Sequence, residues 1–323
     1  MDEFEQIAIS STPYDDVFKS LLYGPGNLVI ELINEMFGTH YTREDKITFH
    51  QNEFLSQKEG KKIDDSNFTI SSLRFSKDYH IECQSYGNGE ISVRLFEYDI
   101  DIAIDNSTIE DGTLTVRLPQ SGVLFLRGKG KRSGIKVRLI APNDKEVSYE
   151  VKTLYMRDYT VDDLLEKDLY FLFPYFLFTY DQSPEMIEKD EELRKKFEQD
   201  LKKIVKKLKD DQMSGKLNSA ACSMVYSLTR ELLKRDTNKY SKMKAEVKGI
   251  MGGEPIEAVK LYQKGLNEGM AKGMAKGIAE GRSESTKEFR NRMLEALDEM
   301  CQKGEISDQA AKSFVEKLEL EFK

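Results

Sequence analysis

Residues 62–105 read KIDDSNFTISSLRFSKDYHIECQSYGNGEISVRLFEYDIDIAID. Apolar residues that alternate with polar ones predict two strands in this stretch, at 66–74 and at 79–84. The glycines that follow predict a turn, and apolar residues at helical spacing then predict a helix over 91–104. We therefore expect a β-hairpin that leads directly into a helix, and the rest of the chain is organised around this unit.

Acidic residues lie at the open end of the predicted hairpin. Asp64 and Asp65 precede the first strand, and Glu82 lies near the end of the second. Because successive side chains of a strand point to opposite faces, His80, Glu82 and Gln84 share one face. Two carboxylates as close as Asp65 and Glu82 repel each other unless a cation or a proton lies between them. Mg²⁺ prefers such oxygen ligands, so the hairpin predicts a metal site. His80 is either a support for Glu82 or a neutral polar strand residue.

Segments along nearly the whole chain resemble one nuclease family. Asp65, Glu82 with Gln84, and the helix VRLFEYD at 93–99 resemble the PD-(D/E)XK nuclease superfamily, in its branch of recombination-promoting, transposase-like nucleases. Similar segments elsewhere are YDDVFKSLL, LPQSGVLFLR, DLLEKDLYFLFPYFLF and a repeated KG-containing helix near the C-terminus. Their order along the chain carries the resemblance, because a D…E-x-Q pattern alone is common. The resemblance implies an α/β fold with an αβββαβ core, in which helices flank a mixed β-sheet.

The resemblance also implies a catalytic set within the hairpin, namely Asp65, Glu82 and Gln84. Asp65, Glu82 and the backbone carbonyl of Cys83 are the implied ligands of one or two Mg²⁺ or Mn²⁺ ions, which polarise the scissile phosphate and lower the pKa of the attacking water. Gln84 stands where the superfamily's named motif has lysine, so the positive charge must come from elsewhere. Asp64 is a rival ligand because a one-residue shift of the strand exchanges it with Asp65, whereas the family's D-S-x-F pattern favours Asp65.

A few residues outside the predicted strands are accessory candidates. Asp15 and Lys19 match the family's opening D-x-x-F-K helix, although capping and the helix dipole equally explain an acid in a first turn. Arg94 is placed to neutralise a scissile phosphate, and the alternative is a surface ion pair that contributes little. The charge that Gln84 lacks must come from the metal, from Arg94 or from a nearby lysine such as Lys62 or Lys19.

A basic run, RGKGKRSGIKVR, spans residues 127–138 and contains no acid. Such a run can hold DNA phosphates, and the alternative is a solvated loop leading into a strand. The net charge of −8 argues against a broadly basic DNA-binding surface, so we expect any phosphate contacts at this local run. The candidates are Arg127, Lys129, Lys131, Arg132 and Lys136.

The remaining segments predict elements that fit this core. A helix over 14–37, interrupted at residues 24–26, precedes a strand at 46–54. In the helix after the hairpin, the residues expected to face the sheet are Val93, Phe96, Ile100, and Ala103 or Ile104. Further strands are predicted at 114–118, 123–127, 136–140 and 147–154, with turns at 119–122 and 142–144. From residue 162 onward the chain is expected to be helical, with helices at 184–213 and 217–235.

Three regions are predicted along the chain: a nuclease-like domain at 1–180, a charged helical region at 181–250, and a glycine-repeat helix with a C-terminal helix at 251–323. Glycine recurs in the last region at every fourth position from 265 to 281. Small residues at this spacing permit close approach of two helices, which predicts self-association into a homo-oligomer. The alternative is a spacer grown by repeat duplication.

The composition and the spacing of the cysteines indicate the cellular compartment. Neither a signal peptide nor a membrane span is expected from the sequence, because no apolar run is long enough. Cys83, Cys222 and Cys301 are widely spaced, which indicates a reducing compartment and no thiolate cluster. We therefore expect a cytoplasmic protein of the bacterial type.

These observations lead to one main functional hypothesis, a metal-dependent DNA endonuclease that hydrolyses phosphodiester bonds and is linked to recombination or mobile DNA. The alternative is a catalytically weak module that binds DNA or a protein and self-associates through the glycine-repeat helix. A transposase of the three-carboxylate kind is disfavoured, because no second domain carries that acidic arrangement.

Overall fold

A computed structural model of the protein describes residues 13–56, 60–72, 75–85, 91–128 and 134–252, with the backbone alone at 51–56 and 60–65. The chain divides into two compact units, Met1–Val259 and Lys260–Lys323. The predicted boundary near residue 180 falls inside the first unit. The glycine-repeat helix and its predicted self-association belong to the part of the chain outside the described residues.

The first unit is built on a six-stranded mixed sheet with the strand order β1-β2-β3-β6-β8-β7. The first three strands are antiparallel neighbours, β3 pairs parallel with β6, β6 pairs parallel with β8, and β7 closes the other edge antiparallel to β8. A small two-stranded sheet, β4-β5, stands apart. The strands are β1 Lys46–Ser56, β2 Gly60–Ser71, β3 Ser76–Gln84, β4 Thr108–Glu110, β5 Thr113–Thr115, β6 Gln120–Phe125, β7 Ile135–Ile140 and β8 Glu146–Tyr155.

Helices precede, interrupt and follow these strands. A 3-10 helix at Met156–Asp158 follows β8, and a second at Tyr170–Thr179, which contains Pro174, lies between two α-helices. Of the helices that the structure describes, none combines the length and apolar character needed to cross a membrane. The α-helices are α1 Pro13–Leu22, α2 Val29–Phe37, α3 Ile91–Asp105, α4 Val161–Glu166, α5 Pro184–Lys189, α6 Glu191–Met213, α7 Ser219–Asp236 and α8 Ser241–Met251.

The predicted α/β class is confirmed. Helices lead into a three-stranded meander, and α3 then connects β3 to the parallel strand β6. The β7-β8 hairpin extends the far side of the sheet, and its turn lies where Pro142-Asn143-Asp144 predicts it, with Asp144 at a positive φ of 61°. In the described part of the chain that follows residue 160, which ends at residue 252, the regular elements are all helices, as predicted from residue 162 onward.

The two faces of the central sheet are covered differently. On one face α3 buries Ile91 and Leu95 against Val123, Phe125 and Val151 of the sheet. On the other face α2 packs closely, with the ring of its Phe37 5.2 Å from that of Tyr79 on β3. The strand alternation predicted for β3 therefore holds, because Tyr79 and Ile81 are buried on the α2 side while His80 contacts α3 through Asp99.

Several predicted details are wrong. In α3, Val93 and Ile104 are 60% and 54% exposed, and Phe96 and Ile100 are only partly buried. Of the predicted stripe only Ala103 is fully buried. The buried stripe instead consists of Ile91, Leu95, Asp99, Ile102 and Ala103. A polar residue takes a core position because the sheet beneath it offers polar partners.

The turn predicted at 119–122 is also wrong from residue 120 onward, since β6 begins at Gln120. Gly122 lies within the strand because α2 passes close above it. A methyl group built on Gly122 would overlap the sulfur of Met36 and approach the ring of Phe37 to 3.2 Å. In place of the strand expected at 114–118, the structure has the short strand β5, Thr113–Thr115.

Two element boundaries also differ from prediction. The helix predicted at 184–213 is broken between α5 and α6 because Asp190 caps α6, where its Oδ1 accepts from the backbone of Glu192 and Leu193. The first hairpin strand starts at Gly60. Asp64 and Asp65 therefore lie inside β2 rather than before it.

Candidate functional site

The candidate site lies at the carboxyl end of β3, where this strand runs beside β6. Glu82 and Gln84 are its last polar residues, and they share the face predicted for them. The backbone pairing continues past the two strands, because the amide of Leu126 donates to the carbonyl of Gln84 at 2.8 Å and that of Arg127 to the carbonyl of Ser85 at 3.1 Å. Both strand ends are therefore held firmly.

The Glu82 carboxylate is largely buried, with 18% of its side chain exposed. Its Oε2 accepts a hydrogen bond from the amide of Gln84 at 3.3 Å and one from the guanidinium of Arg94 at 3.4 Å. Its Oε1 lies 3.6 Å from Nε2 of His80. Two neighbours of the Glu82 carboxylate, His80 and Gln84, thus come from the same face of β3, and the third, Arg94, comes from α3.

These neighbours decide the charge of Glu82. Burial on its own raises the pKa of a carboxyl group. Here the contact with His80, the charge of Arg94 and the hydrogen bond from Gln84 outweigh burial and hold the pKa of Glu82 below its ordinary value. Glu82 is therefore an anion at neutral pH, which is the form that binds a cation.

Asp15 and Lys19 of α1 are brought to the same place. Burial raises the pKa of Asp15, and the negative charge of Glu82 raises it further, while Lys19 at 3.5 Å lowers it in part. The charge of Glu82 on β3 thus reaches Asp15 of the opening helix. A carboxyl group whose ionisation is disfavoured by a neighbouring carboxylate forms with it the kind of pair that a cation relieves.

Cys83 can contribute to the site through its backbone and not through its sulfur. Burial raises the pKa of the Cys83 thiol well above its ordinary value, and the charges of Asp15 and Glu82 add to this effect. The thiol therefore stays neutral. Because backbone carbonyls alternate along a strand and that of Gln84 points to β6, the Cys83 carbonyl points toward β2. The β2-β3 ladder has its last pair earlier, at Asn67 and His80.

Asp64 and Asp65 lie on β2 beyond that last pair, and their side chains are outside the described part of the chain. The backbone nevertheless shows a register shift at this point. His50 of β1 faces Asn67, but Asn52 faces Asp64, so two steps along β1 correspond to three along β2. Such a bulge interrupts the alternation of side chains, so strand parity does not decide between Asp64 and Asp65 as the ligand.

The predicted phosphate contacts are dispersed. Arg127 lies beside the site, but its guanidinium stacks on the rings of Tyr14, at 5.4 Å, and Phe178, at 4.8 Å. Lys136 is exposed on the outer strand β7, where it faces Glu150 of β8. Two strands, β6 and β8, separate it from β3. Lys129, Lys131 and Arg132 lie outside the described residues.

Comparison with family models, with curated proteins and with solved structures found no match for this chain. The residues and their geometry therefore carry the functional argument.

The donors at this site suit a hard divalent cation. The Asp15 and Glu82 carboxylates, the Gln84 amide and the Cys83 carbonyl all offer oxygen, which Mg²⁺ and Mn²⁺ prefer. Among the side chains that the structure describes, no group of three or more His, Cys, Asp or Glu is arranged to hold a metal. A complete ligand set therefore needs a further carboxylate, and Asp65 and Asp64 are the ones on the neighbouring strand.

Sequence reasoning missed one residue of this region, Asp99. It is fully buried in α3 with its Oδ1 2.9 Å from Nδ1 of His80. Its spacing of four and eight residues from Leu95 and Ile91 places it on the buried stripe. That spacing was the available signal, but an apolar pattern gives no weight to an aspartate.

Proposed function

We propose that this protein is a metal-dependent DNA endonuclease whose active site is centred on Glu82. The observation that carries the proposal is the anionic Glu82 carboxylate at the end of a central strand, with a second carboxyl group, Asp15, close enough for the charge of Glu82 to raise its pKa. Paired acids beside fixed cations are the arrangement that phosphodiester hydrolysis with a divalent ion uses.

The proposed ligands are Glu82, the Cys83 carbonyl and Asp65, with Asp64 as the rival to Asp65. When bound, Mg²⁺ or Mn²⁺ supplies Lewis-acid polarisation of the phosphate and a lowered pKa for the attacking water. The family resemblance favours Asp65 within this set.

Side chains of the protein would provide the phosphate contacts and the positive charge. Arg94, 35% exposed, reaches Glu82 from α3 and presents guanidinium donors to solvent, which suits contact with a DNA phosphate. Gln84 orients the Glu82 carboxylate and can hold a water, but it brings no charge. Lys19 of α1 lies 3.5 Å from the carboxylate of Asp15. Arg94 and Lys19 would therefore replace the cation that Gln84 does not provide.

The wider biological setting belongs to the same proposal. Double-stranded or single-stranded DNA is the proposed partner, the cytoplasm is the proposed location, and a link to recombination or mobile DNA rests on the family resemblance. Self-association through the glycine-repeat helix is proposed from its sequence alone.

The test is nicking of supercoiled plasmid by the full chain with Mg²⁺, with Mn²⁺ or with EDTA. Glu82→Gln keeps the shape of the side chain and removes its charge, so cleavage should fall by about 100-fold or more. Glu146→Gln is the matched control, because Glu146 is exposed on the β7-β8 hairpin. Circular dichroism and urea unfolding establish that each variant is folded.

Full activity of a folded Glu82→Gln variant would contradict the proposal. No cleavage by the wild type with either metal, together with DNA binding measured by fluorescence anisotropy, would favour the alternative of a binding module without hydrolysis. Loss of cleavage in Glu82→Gln with unchanged DNA affinity would separate catalysis from binding.

A further inference from the structure

We propose that His80, held by Asp99, is a positioning residue that fixes the orientation of the Glu82 carboxylate. This inference rests on the proposed function, because it assigns a role in the same site. It concerns contacts beneath Glu82, on the side away from the Arg94 and Gln84 donors. Neither His80 nor Asp99 is exposed to solvent, so both act on the site only through Glu82.

Asp99 is the anchor of this arrangement. Its Oδ1 accepts from Nδ1 of His80 at 2.9 Å and from the hydroxyl of Ser121 at 2.6 Å. Its Oδ2 accepts from the hydroxyl of Tyr149 at 3.1 Å. These partners come from β3, β6 and β8, and Asp99 itself comes from α3. A carboxylate with its lone pairs occupied by donors from separate elements has a single stable position.

The anchor sets the orientation of the imidazole. The Asp99 carboxylate accepts a hydrogen bond from Nδ1 of His80, so Nδ1 carries a hydrogen. The other ring nitrogen, Nε2, faces Oε1 of Glu82 at 3.6 Å. The ring of Tyr98 packs edge-on against the imidazole at 5.6 Å. The imidazole therefore has little freedom to rotate, and Glu82 meets it at a fixed point.

The consequence for Glu82 concerns its two oxygens. Oε1 is directed to His80, whereas Oε2 faces Gln84 and Arg94 at the surface of the site. Without the imidazole, Glu82 would be free to turn both oxygens toward the Arg94 guanidinium in a bidentate pair. Such a pair would compete with a bound cation for the same oxygens.

Stability alone does not account for these buried polar groups. A buried ionic network is seldom more stabilising than apolar residues of the same volume. Asn67, the residue opposite His80 on β2, adds a direct cost. It is fully buried, and neither its amide oxygen nor its amide nitrogen has a hydrogen-bond partner among the described residues. A buried polar cluster beneath a candidate site indicates a functional constraint.

Two conservative variants of His80 separate positioning from simple packing. The amide nitrogen of Gln in His80→Gln reaches the position of Nε2 and keeps a donor toward Glu82. The amide of Asn in His80→Asn reaches only the position of Nδ1 and keeps the contact with Asp99. We expect His80→Asn to lower kcat for plasmid nicking by about 10–100-fold with KM little changed. His80→Gln should recover most of that loss.

Two further measurements do not depend on cleavage. Isothermal titration calorimetry with Mn²⁺ should show weaker binding to His80→Asn than to His80→Gln or to the wild type. Crystal structures of the variants should show Glu82 turned toward Arg94 in His80→Asn and in its original place in His80→Gln. An unmoved Glu82 in His80→Asn, or equal losses in both variants, would overturn the inference.

These measurements distinguish failure of the proposed nuclease function from failure of the proposed role of His80. An inactive wild type would count against the proposed nuclease, while the Glu82 orientation in the variant structures would still decide the role of His80. Should His80→Asn fail to fold, Ser121→Ala replaces it, because this variant removes one donor to Asp99 and leaves the imidazole in place. It should lower kcat without changing KM, and an unchanged kcat would contradict the inference.

Discussion

Asn67 on β2 lies directly opposite His80 on β3, and both side chains are fully buried at the centre of the sheet. His80 bonds to Asp99, whereas both amide atoms of Asn67 lack a hydrogen-bond partner among the described residues. Natural proteins seldom retain such a group without a reason.

Asn67→Leu should therefore make the protein more stable and less active. Leucine has the same branched shape and no polar atoms, so the free energy of unfolding should rise by about 1–3 kcal/mol. Urea unfolding measures this directly, and plasmid nicking should fall in the same variant.

Asn34→Leu is the matched control for Asn67→Leu. The Asn34 amide accepts from the backbone of Tyr41 and from Thr39, and it donates to the carbonyl of Tyr41, each at 2.8 Å. Its loss should lower stability. If both variants lose stability, the burial of Asn67 is not the cost inferred for it.

Arg94→Ala should lower the rate of DNA cleavage by about 100-fold or more, because a guanidinium near the scissile phosphate stabilises charge in the transition state. Arg94→Lys should recover only part of this rate, since lysine lacks the planar fork. The comparison uses initial nicking rates at saturating DNA. Arg138→Ala, on the exposed strand β7, serves as the control. If Arg94→Ala is as active as this control, Arg94 is only an ion-pair partner of Glu82.

Gly122→Ala should destabilise the fold by about 1–3 kcal/mol, because the added methyl group meets Met36 of α2 and the ring of Phe37. Thermal or urea unfolding checks this. The same substitution in a Met36→Ala background should cost less, since the obstructing side chain is gone. Equal costs in the two backgrounds would show that α2 does not approach Gly122 as closely as described.

Asp168→Asn should reveal a pH-dependent contribution to stability. Burial raises the pKa of Asp168, but hydrogen bonds from Lys207 at 2.8 Å and Lys216 at 2.6 Å outweigh it and hold the pKa below its ordinary value of 3.8. A carboxyl group with a lowered pKa stabilises the fold fully above that ordinary value and loses the contribution as the pH falls through the folded pKa.

The wild type should therefore exceed Asp168→Asn by about 1–2 kcal/mol near neutral pH, with the difference shrinking below about pH 4. Urea unfolding at a series of pH values measures it. Asp168 has a φ of 54°, and Asp111→Asn, at a φ of 48° in the β4-β5 turn, controls for the backbone effect. A difference that stays constant down to about pH 3 would contradict the assignment.

The sequence was sufficient for the class of fold and for the shared face of His80, Glu82 and Gln84. Strand alternation is a local property, so those residues needed no knowledge of distant partners. The burial of Asp99 could not be predicted in this way, because it depends on Ser121 and Tyr149. These two residues come later in the chain, on β6 and β8. Gly122 was misjudged for a related reason. Glycine favours turns locally, whereas here the close approach of α2 requires it.

The parallel pairing of β3 with β6 also bears on how the protein folds. The strands β1 to β3 form an antiparallel meander between neighbours in the chain, but β6 joins β3 only after the crossover through α3. Contacts between residues distant in sequence form slowly, since a long loop must close first. Until β6 docks, β3 is an exposed edge strand open to pairing with other chains. The strand that carries Glu82 is thus vulnerable to aggregation during synthesis until β6 covers it.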